Sequence, residues 1–316
     1  MASADPRLQE HLVRIGEAAR RLDQLRAAEG AAGNLSVALR DPLDPGGQFP
    51  QEEPLALPEP APELAGATVL VTGSGCRLAS CGRDPAANLA LLVVEAGGAT
   101  ARLFTSPRRT FRTPTSEFVT HWMLHRDAFA AGADYHAVVH AQPLQLTYLS
   151  HIPRYQEEAF FNRRLLRWQP ELIFQFPHGI GVVPFDVPGT ARLARATLAR
   201  LRGRTLVVWA KHGVVARSIQ AIEQAVDHIE YAEAGASYER LDLACGGLAE
   251  GLTVDEMLAI CREYGIEQTV FPDPARQLGE RPRLPRTIAL EIGGPALAFA
   301  LSLRGRQPPA GRRSLD

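Results

Sequence analysis

At 316 residues, 46% of them hydrophobic, the chain can bury a large core, either as one α/β domain or as two smaller ones. Its 34 basic and 35 acidic residues leave a net charge of -1 with no block of one sign, which argues against nucleic acid or an anionic membrane surface as partner. No apolar run approaches the ~18 residues of a transmembrane helix. The opening Met1-Ala2-Ser3-Ala4-Asp5-Pro6 has neither the basic nor the apolar region of a secretory signal. Cys76, Cys81, Cys245 and Cys261 are too sparse for a disulfide framework, so reduced thiols in a cytoplasmic protein are expected.

In chain order, Leu8, Leu12, Ile15, Ala19, Leu22 and Leu25 recur at three- and four-residue steps and predict an amphipathic helix over 6–29, ended by Gly30 and Gly33. The run from Gly33 to Leu39 reads as a loop entering a strand. Seven prolines between Asp41 and Pro62 predict an irregular surface excursion over about 41–64. Ala67 to Val71 is a short buried strand, and Leu89 to Glu95 and Thr100 to Phe104 form a hairpin turned by Gly97-Gly98. Pro114-Thr115-Ser116-Glu117 starts a helix whose apolar face carries Phe118, Trp122 and Phe129.

Further on, the apolar run Ala137-Val138-Val139 delivers His140 to a strand end, and Thr205 to Trp209 delivers His212. Glu171 to Phe176 reads as a strand, Thr190 to about Arg202 as a helix, and Ser218 to Leu241 as a long helix. Thr253-Val254-Asp255-Glu256 is a capping box before a final helix to Tyr264. Residues 1–270 read as one domain. Residues 271–316, dominated by Pro and Arg with an apolar island from Leu290 to Leu303, read as a partly disordered appendage.

Several of these places carry chemistry. Two neutral imidazoles at strand ends are suited to gripping one divalent metal, although either alone is an ordinary strand-end histidine. Thr72-Gly73-Ser74-Gly75, Gly33-Asn34-Leu35-Ser36 and Thr115-Ser116 are three clusters of amides and hydroxyls that suit a phosphate held mainly by neutral donors. Glu117, in a first helical turn where the dipole favours a carboxylate, suits a general acid/base beside a metal.

Val71-Thr72-Gly73-Ser74-Gly75, Asp84-Pro85-Ala86-Ala87-Asn88, Thr115-Ser116-Glu117, Val138-Val139-His140, Phe176-Pro177-x-Gly179-x-Gly181, Val187-Pro188-Gly189-Thr190 and His212-Gly213-Val214 occur in one order. Together, over about Arg7 to Tyr264, they resemble the class II aldolase/adducin family, within it the rhamnulose-1-phosphate aldolase branch. The resemblance implies a three-layer α/β/α sandwich around a mainly antiparallel sheet. It also implies a homotetramer and a divalent metal, zinc first, in a lyase that cleaves a ketose 1-phosphate to dihydroxyacetone phosphate and an aldehyde. On it, Gly33, Asn34, Ser74, Gly75, Thr115 and Ser116 hold phosphate, and Glu117 shuttles the proton. His140 and His212 bind metal, and Glu171 reaches a neighbouring subunit's site.

One position departs from the family pattern. Gln142 stands where the family has the second histidine of His-x-His, and an amide oxygen is a poorer zinc ligand than imidazole. Gln142 then ligates weakly and the site prefers Mn²⁺ or Mg²⁺, or His151 or His178 completes the shell, or the metal is lost. The last case makes the chain a lapsed aldolase-fold binding or scaffold protein. Sugar-phosphate epimerisation uses the same fold.

Overall fold

The computed structural model describes residues 5–272. Most of the expected C-terminal appendage, including the island from Leu290 to Leu303, therefore lies outside the described residues. The helix α1 (Pro6–Gln24) opens on Asp5, whose carboxylate accepts the Arg7 N–H, with Pro6 at its first position. Then come β1 (Asn34–Leu39), β2 (Gln51–Ala56), β3 (Thr68–Thr72), two short helices, α2 (Leu78–Arg83) and α3 (Pro85–Asn88), and the hairpin β4 (Leu89–Val94) and β5 (Thr100–Thr105). The middle of the chain supplies α4 (Phe118–Ala130), β6 (Tyr135–Ala141), α5 (Leu144–Leu149), α6 (Glu158–Leu165), α7 (Pro170–Gln175), β7 (Gly181–Val183) and α8 (Ala191–Leu201). A second hairpin, β8 (Leu206–Trp209) and β9 (Gly213–Ser218), leads into the long α9 (Ile222–Ala244) and the final α10 (Val254–Tyr264).

Among the described residues the strands form one nine-stranded sheet in the order β2-β5-β4-β3-β1-β6-β9-β8-β7. Every pairing is antiparallel except β7 with β8. The pleat sends alternate residues to opposite faces. On β1, Leu35, Val37 and Leu39 join the core beneath α1, α5, α7 and α9, whereas Ala38 joins the cluster that holds Phe118, Trp122 and Phe129 of α4. On β6, Ala137, Val139 and Ala141 take the first face, and Val138 packs on the other with Leu124 of α4 and Leu193 and Leu201 of α8. Helices thus cover both faces, which is the three-layer α/β/α arrangement.

Three elements differ from the sequence reading. The first helix stops at Gln24, because Arg26 turns left-handed (φ 57°) and Ala27 N–H closes onto the Leu22 carbonyl at 2.9 Å. Part of the proline-rich excursion is the strand β2, which among the described residues pairs only with β5. An edge strand tolerates Pro54 because one row of its amides needs no partner. Glu171 to Phe176 is a helix and not a strand. Pro170 presets the first helical position, and Leu172 and Ile173 are adjacent apolar residues that a period-two pattern would send to opposite faces but that here bury together. The capping box at Thr253 and Glu256 forms as expected. The globular core runs through Phe271, which is buried in it.

His228, on α9, sets its ring 5.8 Å from that of Phe176 at a tilt of 51° and buries an Nδ1 with no partner among the described residues. Burial pushes its pKa down to about 4. An unfolded imidazole takes a proton below about pH 6.5, while this one resists until about 4. Folding stability is therefore complete above 6.5 and falls as pH drops between those values, by at most about 1.4 kcal/mol per pH unit for one site. The urea midpoint of His228→Leu should decline less between pH 7 and pH 5 than that of the parent; an equal decline would show that His228 titrates normally.

Candidate active site

The register Asn34↔His140 between β1 and β6 sets two side chains next to each other on the α4 face of the sheet. Just before Asn34, Gly33 turns left-handed (φ 81°), and a Cβ there would lie 3.2 Å from the His140 carbonyl oxygen, so the close approach requires glycine. His140 lies within β6 and not past its end. Its Nδ1–H donates to the Val214 carbonyl at 2.9 Å, which leaves Nε2 bare and aimed at Glu117 Oε2, 3.5 Å away.

His212 sits in the three-residue turn between β8 and β9. Lys211, the only lysine in the sequence, makes that turn in the left-handed region (φ 65°), and its N–H is held by Ser150 Oγ at 2.8 Å. A non-glycine there is strained and persists because its neighbours hold it. His212 Nε2 lies 3.5 Å from Glu117 Oε1. The Trp209 ring supports both imidazoles, with centroids 4.9 Å from His140 and 5.1 Å from His212, and is itself anchored by Nε1–H donating to Thr197 Oγ1 at 2.8 Å. Burial, with His140 alongside, lowers the His212 pKa below the ordinary imidazole value, so it stays neutral and offers a lone pair.

Glu117 is the residue on which these imidazoles converge. It precedes α4 and is only 4% exposed. One donor atom each from Glu117, His140 and His212 lies within 4.8 Å of the other two. Two imidazoles and one carboxylate are a donor set that suits a divalent cation such as zinc. Glu117, placed by sequence as the proton shuttle, thus stands where a third ligand would.

Gln142 has a different place. Its backbone N–H donates to the Ala27 carbonyl at 2.7 Å, while its Cγ would lie 3.1 Å from a Cβ on Gly213. Gln142 is half-buried beside the two histidines, and its amide makes no hydrogen bond to the described residues. His151 and His178, the alternative ligands, are exposed and do not join the three. Glu171 is exposed in the first turn of α7 and is likewise outside the cluster.

The phosphate candidates divide. Loops 73–76 and 113–117 are tied together, with Ser74 N–H on Thr113 O at 2.8 Å, Thr115 N–H on Thr72 O at 2.9 Å, and a bridge from Gly73 to Pro114. A Cβ on Gly73 would fall inside the Phe111 ring. Ser74, Gly75 and Ser116 are exposed on these joined loops, while Thr115 is buried with Oγ1 accepting from Glu117 N–H at 3.4 Å. Asn34 is not an open donor, because its Nδ2 donates to Glu117 Oε2 at 3.0 Å and its Oδ1 meets His121 Nε2 at 2.5 Å. That role, and His121 itself, were not singled out from the sequence. The signal was the pair His121 and His125, four apart on α4 and so on one helix face.

A mixed sheet between two helix layers, with these donors gathered where β1 and β6 meet the start of α4, defines an α/β protein of class II aldolase type. The chain belongs to the Class II Aldolase and Adducin N-terminal domain family, whose model matches residues 13–239. It is 30% identical over 214 residues to the rhamnulose-1-phosphate aldolase of Enterobacter sp. (strain 638), covering 67% of this chain and 76% of that protein. It is 30% identical over 243 residues to the enzyme of the same name from Escherichia coli O157:H7 (strain EC4115 / EHEC), covering 75% of this chain and 87% of that protein. The crystal structure of a sugar-phosphate aldolase from Thermotoga maritima is similar with a TM-score of 0.65 and 28% identity, covering 76% of this chain and 97% of that one.

The donor set predicts which substitutions matter to metal. Isothermal titration of metal-stripped protein with Zn²⁺ should find one site per chain. His140→Ala or His212→Ala should weaken it by more than the about 10–100-fold typical of an outer-shell change. Gln142→Ala should leave it within that range. Zinc affinity that collapses in Gln142→Ala would place the amide in the shell.

Proposed function

We propose that the protein is a divalent-metal-dependent aldolase that cleaves a ketose 1-phosphate to dihydroxyacetone phosphate and an aldehyde. The observation that carries this reading is the convergence of Glu117, His140 and His212 beside loops rich in neutral phosphate donors, in a chain whose relatives bear the name rhamnulose-1-phosphate aldolase. When bound, a divalent cation supplies Lewis-acid stabilisation of the negative charge that develops as the carbon–carbon bond breaks. Zinc suits two imidazoles and a carboxylate.

Each group then has a part. His140 and His212 hold the cation, and the His140 Nδ1–H···O=C bond to Val214 fixes which nitrogen faces it. Glu117, ionised in the resting site, would take the proton from the hydroxyl on the carbon that becomes the aldehyde. It would return that proton, through the oxygen not facing the cation, to the carbon left with the lone pair after cleavage. Ser74, Gly75 and Ser116, with Gly33 and the buried Thr115, cradle the phosphate through amides and hydroxyls. Asn34 serves the phosphate end only indirectly, since its amide is committed to Glu117. Glu171, exposed on α7, is free to reach the site of a neighbouring subunit in a homotetramer. No helix among the described residues is long and apolar enough to cross a membrane, and cytoplasmic sugar-phosphate metabolism is the setting proposed.

The test is release of dihydroxyacetone phosphate from a panel of ketose 1-phosphates, rhamnulose 1-phosphate first, by zinc-loaded protein. Turnover should vanish with a chelator and fall by about 10²–10⁴-fold in Glu117→Gln. Gln142→His, which restores the family's histidine, should raise zinc retention through dialysis and leave turnover equal or higher. Zinc-loaded protein that binds a ketose 1-phosphate yet cleaves none of the panel would favour the binding-protein reading instead.

A further inference from the structure

Five hydrogen bonds run in series from Glu117 into the layer between the sheet and α4. Asn34 Nδ2 meets Glu117 Oε2 at 3.0 Å, and His121 Nε2 meets Asn34 Oδ1 at 2.5 Å. Ser36 Oγ lies 2.6 Å from His121 Nδ1 and 2.6 Å from His125 Nε2. His125 Nδ1 lies 2.9 Å from His136 Nδ1. Every member is buried, and Ser36, His125 and His136 have no exposed surface at all.

The pleat accounts for the gathering. Asn34 and Ser36 are two apart on β1, His136 lies on the same face of β6 as His140, and His121 and His125 are one turn apart on α4. An apolar layer would be the ordinary filling here. Three imidazoles, a hydroxyl and an amide are instead buried together, which is costly unless each is satisfied.

The proton placement follows from the Glu117 end. A carboxylate oxygen only accepts, so the amide must turn its Nδ2–H₂ to Glu117 and its Oδ1 to His121. His121 therefore carries its proton on Nε2 and accepts at Nδ1, which Ser36 must fill with its O–H. The Ser36 oxygen in turn accepts from His125 Nε2–H, and His125 Nδ1 accepts from His136 Nδ1–H. Neutral rings are required for this, and burial lowers the pKa of all three, that of His136 to about 3.

The far end agrees independently. His136 Nε2 is buried with no partner among the described residues. In the order just derived that atom is a bare lone pair. In the reverse order it would be an orphaned N–H, and Asn34 Oδ1 would face a carboxylate oxygen, so both ends reject reversal.

We infer that His121, backed by Ser36, His125 and His136, is a positioning residue that holds the Asn34 amide, and through it the Glu117 carboxylate, in one orientation. A neutral amide does not pass protons along, so the series acts as a brace and not as a proton wire. Its kinetic consequence rests on the aldolase reading of Glu117, while the proton placement stands apart from it.

Two measurements test the brace. Neutron diffraction from deuterated crystals should find deuterium on Nε2 of His121 and of His125 and on Nδ1 of His136. A deuteron on His121 Nδ1, or on His136 Nε2, would overturn it. In steady-state kinetics on a cleaved ketose 1-phosphate, His121→Leu should lower kcat by about 10–100-fold with KM and zinc content unchanged. His121→Gln, which keeps a donor for Asn34, should recover most of the loss. A folded His121→Leu enzyme with parental kcat overturns the brace, and if that variant does not fold, Ser36→Ala takes its place with the same outcomes. Protein that cleaves no ketose phosphate defeats the aldolase reading alone, because the neutron map still decides the brace.

Discussion

The pairing of Asn34 with His140 across β1 and β6 is the constraint on which both the core and the site depend. Because side chains alternate along a strand, a slip of one residue would turn Leu35, Val37 and Leu39 out of the core beneath α1 and α9. The same slip would turn Asn34 and Ser36 away from α4, removing the donor to Glu117 and the hydroxyl between His121 and His125. The hydrophobic pattern therefore enforces the placement of the polar groups. Burying one set of residues selects the register, and the other set is carried along.

Around that pair, a buried carboxylate is balanced without a buried arginine. Glu117 accepts from one neutral amide and faces two imidazoles, of which His140, with its Nδ1–H on the Val214 carbonyl, presents a bare Nε2. A carboxylate faced by neutral groups lacks a positive partner, and a divalent cation among the three would supply one. A glutamine at 142, where the resemblance implies a histidine, then leaves the donor set of Glu117, His140 and His212 whole. The amide rests beside Gly213, and the segment that carries it is secured elsewhere. Gln142 N–H bonds to the end of the α1 turn, and Glu233 of α9 accepts from the Gln145 and Leu146 N–H groups at 2.9 and 2.8 Å.

How much of this could be read from the sequence follows from where each signal is local. The strand ending near His140, the hairpin at Gly97-Gly98, the long helix through Ala225 and Ile229, and the Thr253 capping box are written in a few consecutive residues, and all four form. The α7 segment reads as a strand because a short apolar run has no measurable period, and Pro170 at its start is the better guide. β2 was hidden by Pro54, which only an edge position permits. In the site, Glu117, His140 and His212 were legible as chemistry-bearing types at element ends. Asn34 looked like a phosphate donor because its loop looked like an anion nest. That its amide faces Glu117 and His121 depends on a packing of β1 against α4 that no local pattern encodes.

The most direct measurement is anomalous diffraction at the zinc edge from crystals grown with Zn²⁺. The account predicts one peak per chain within about 2.0–2.2 Å of nitrogens from His140 and His212 and of a Glu117 oxygen, with the Gln142 amide outside bonding distance. A peak bonded to the Gln142 oxygen with Glu117 outside the shell, or a zinc ion held at a place other than these three residues, would contradict it.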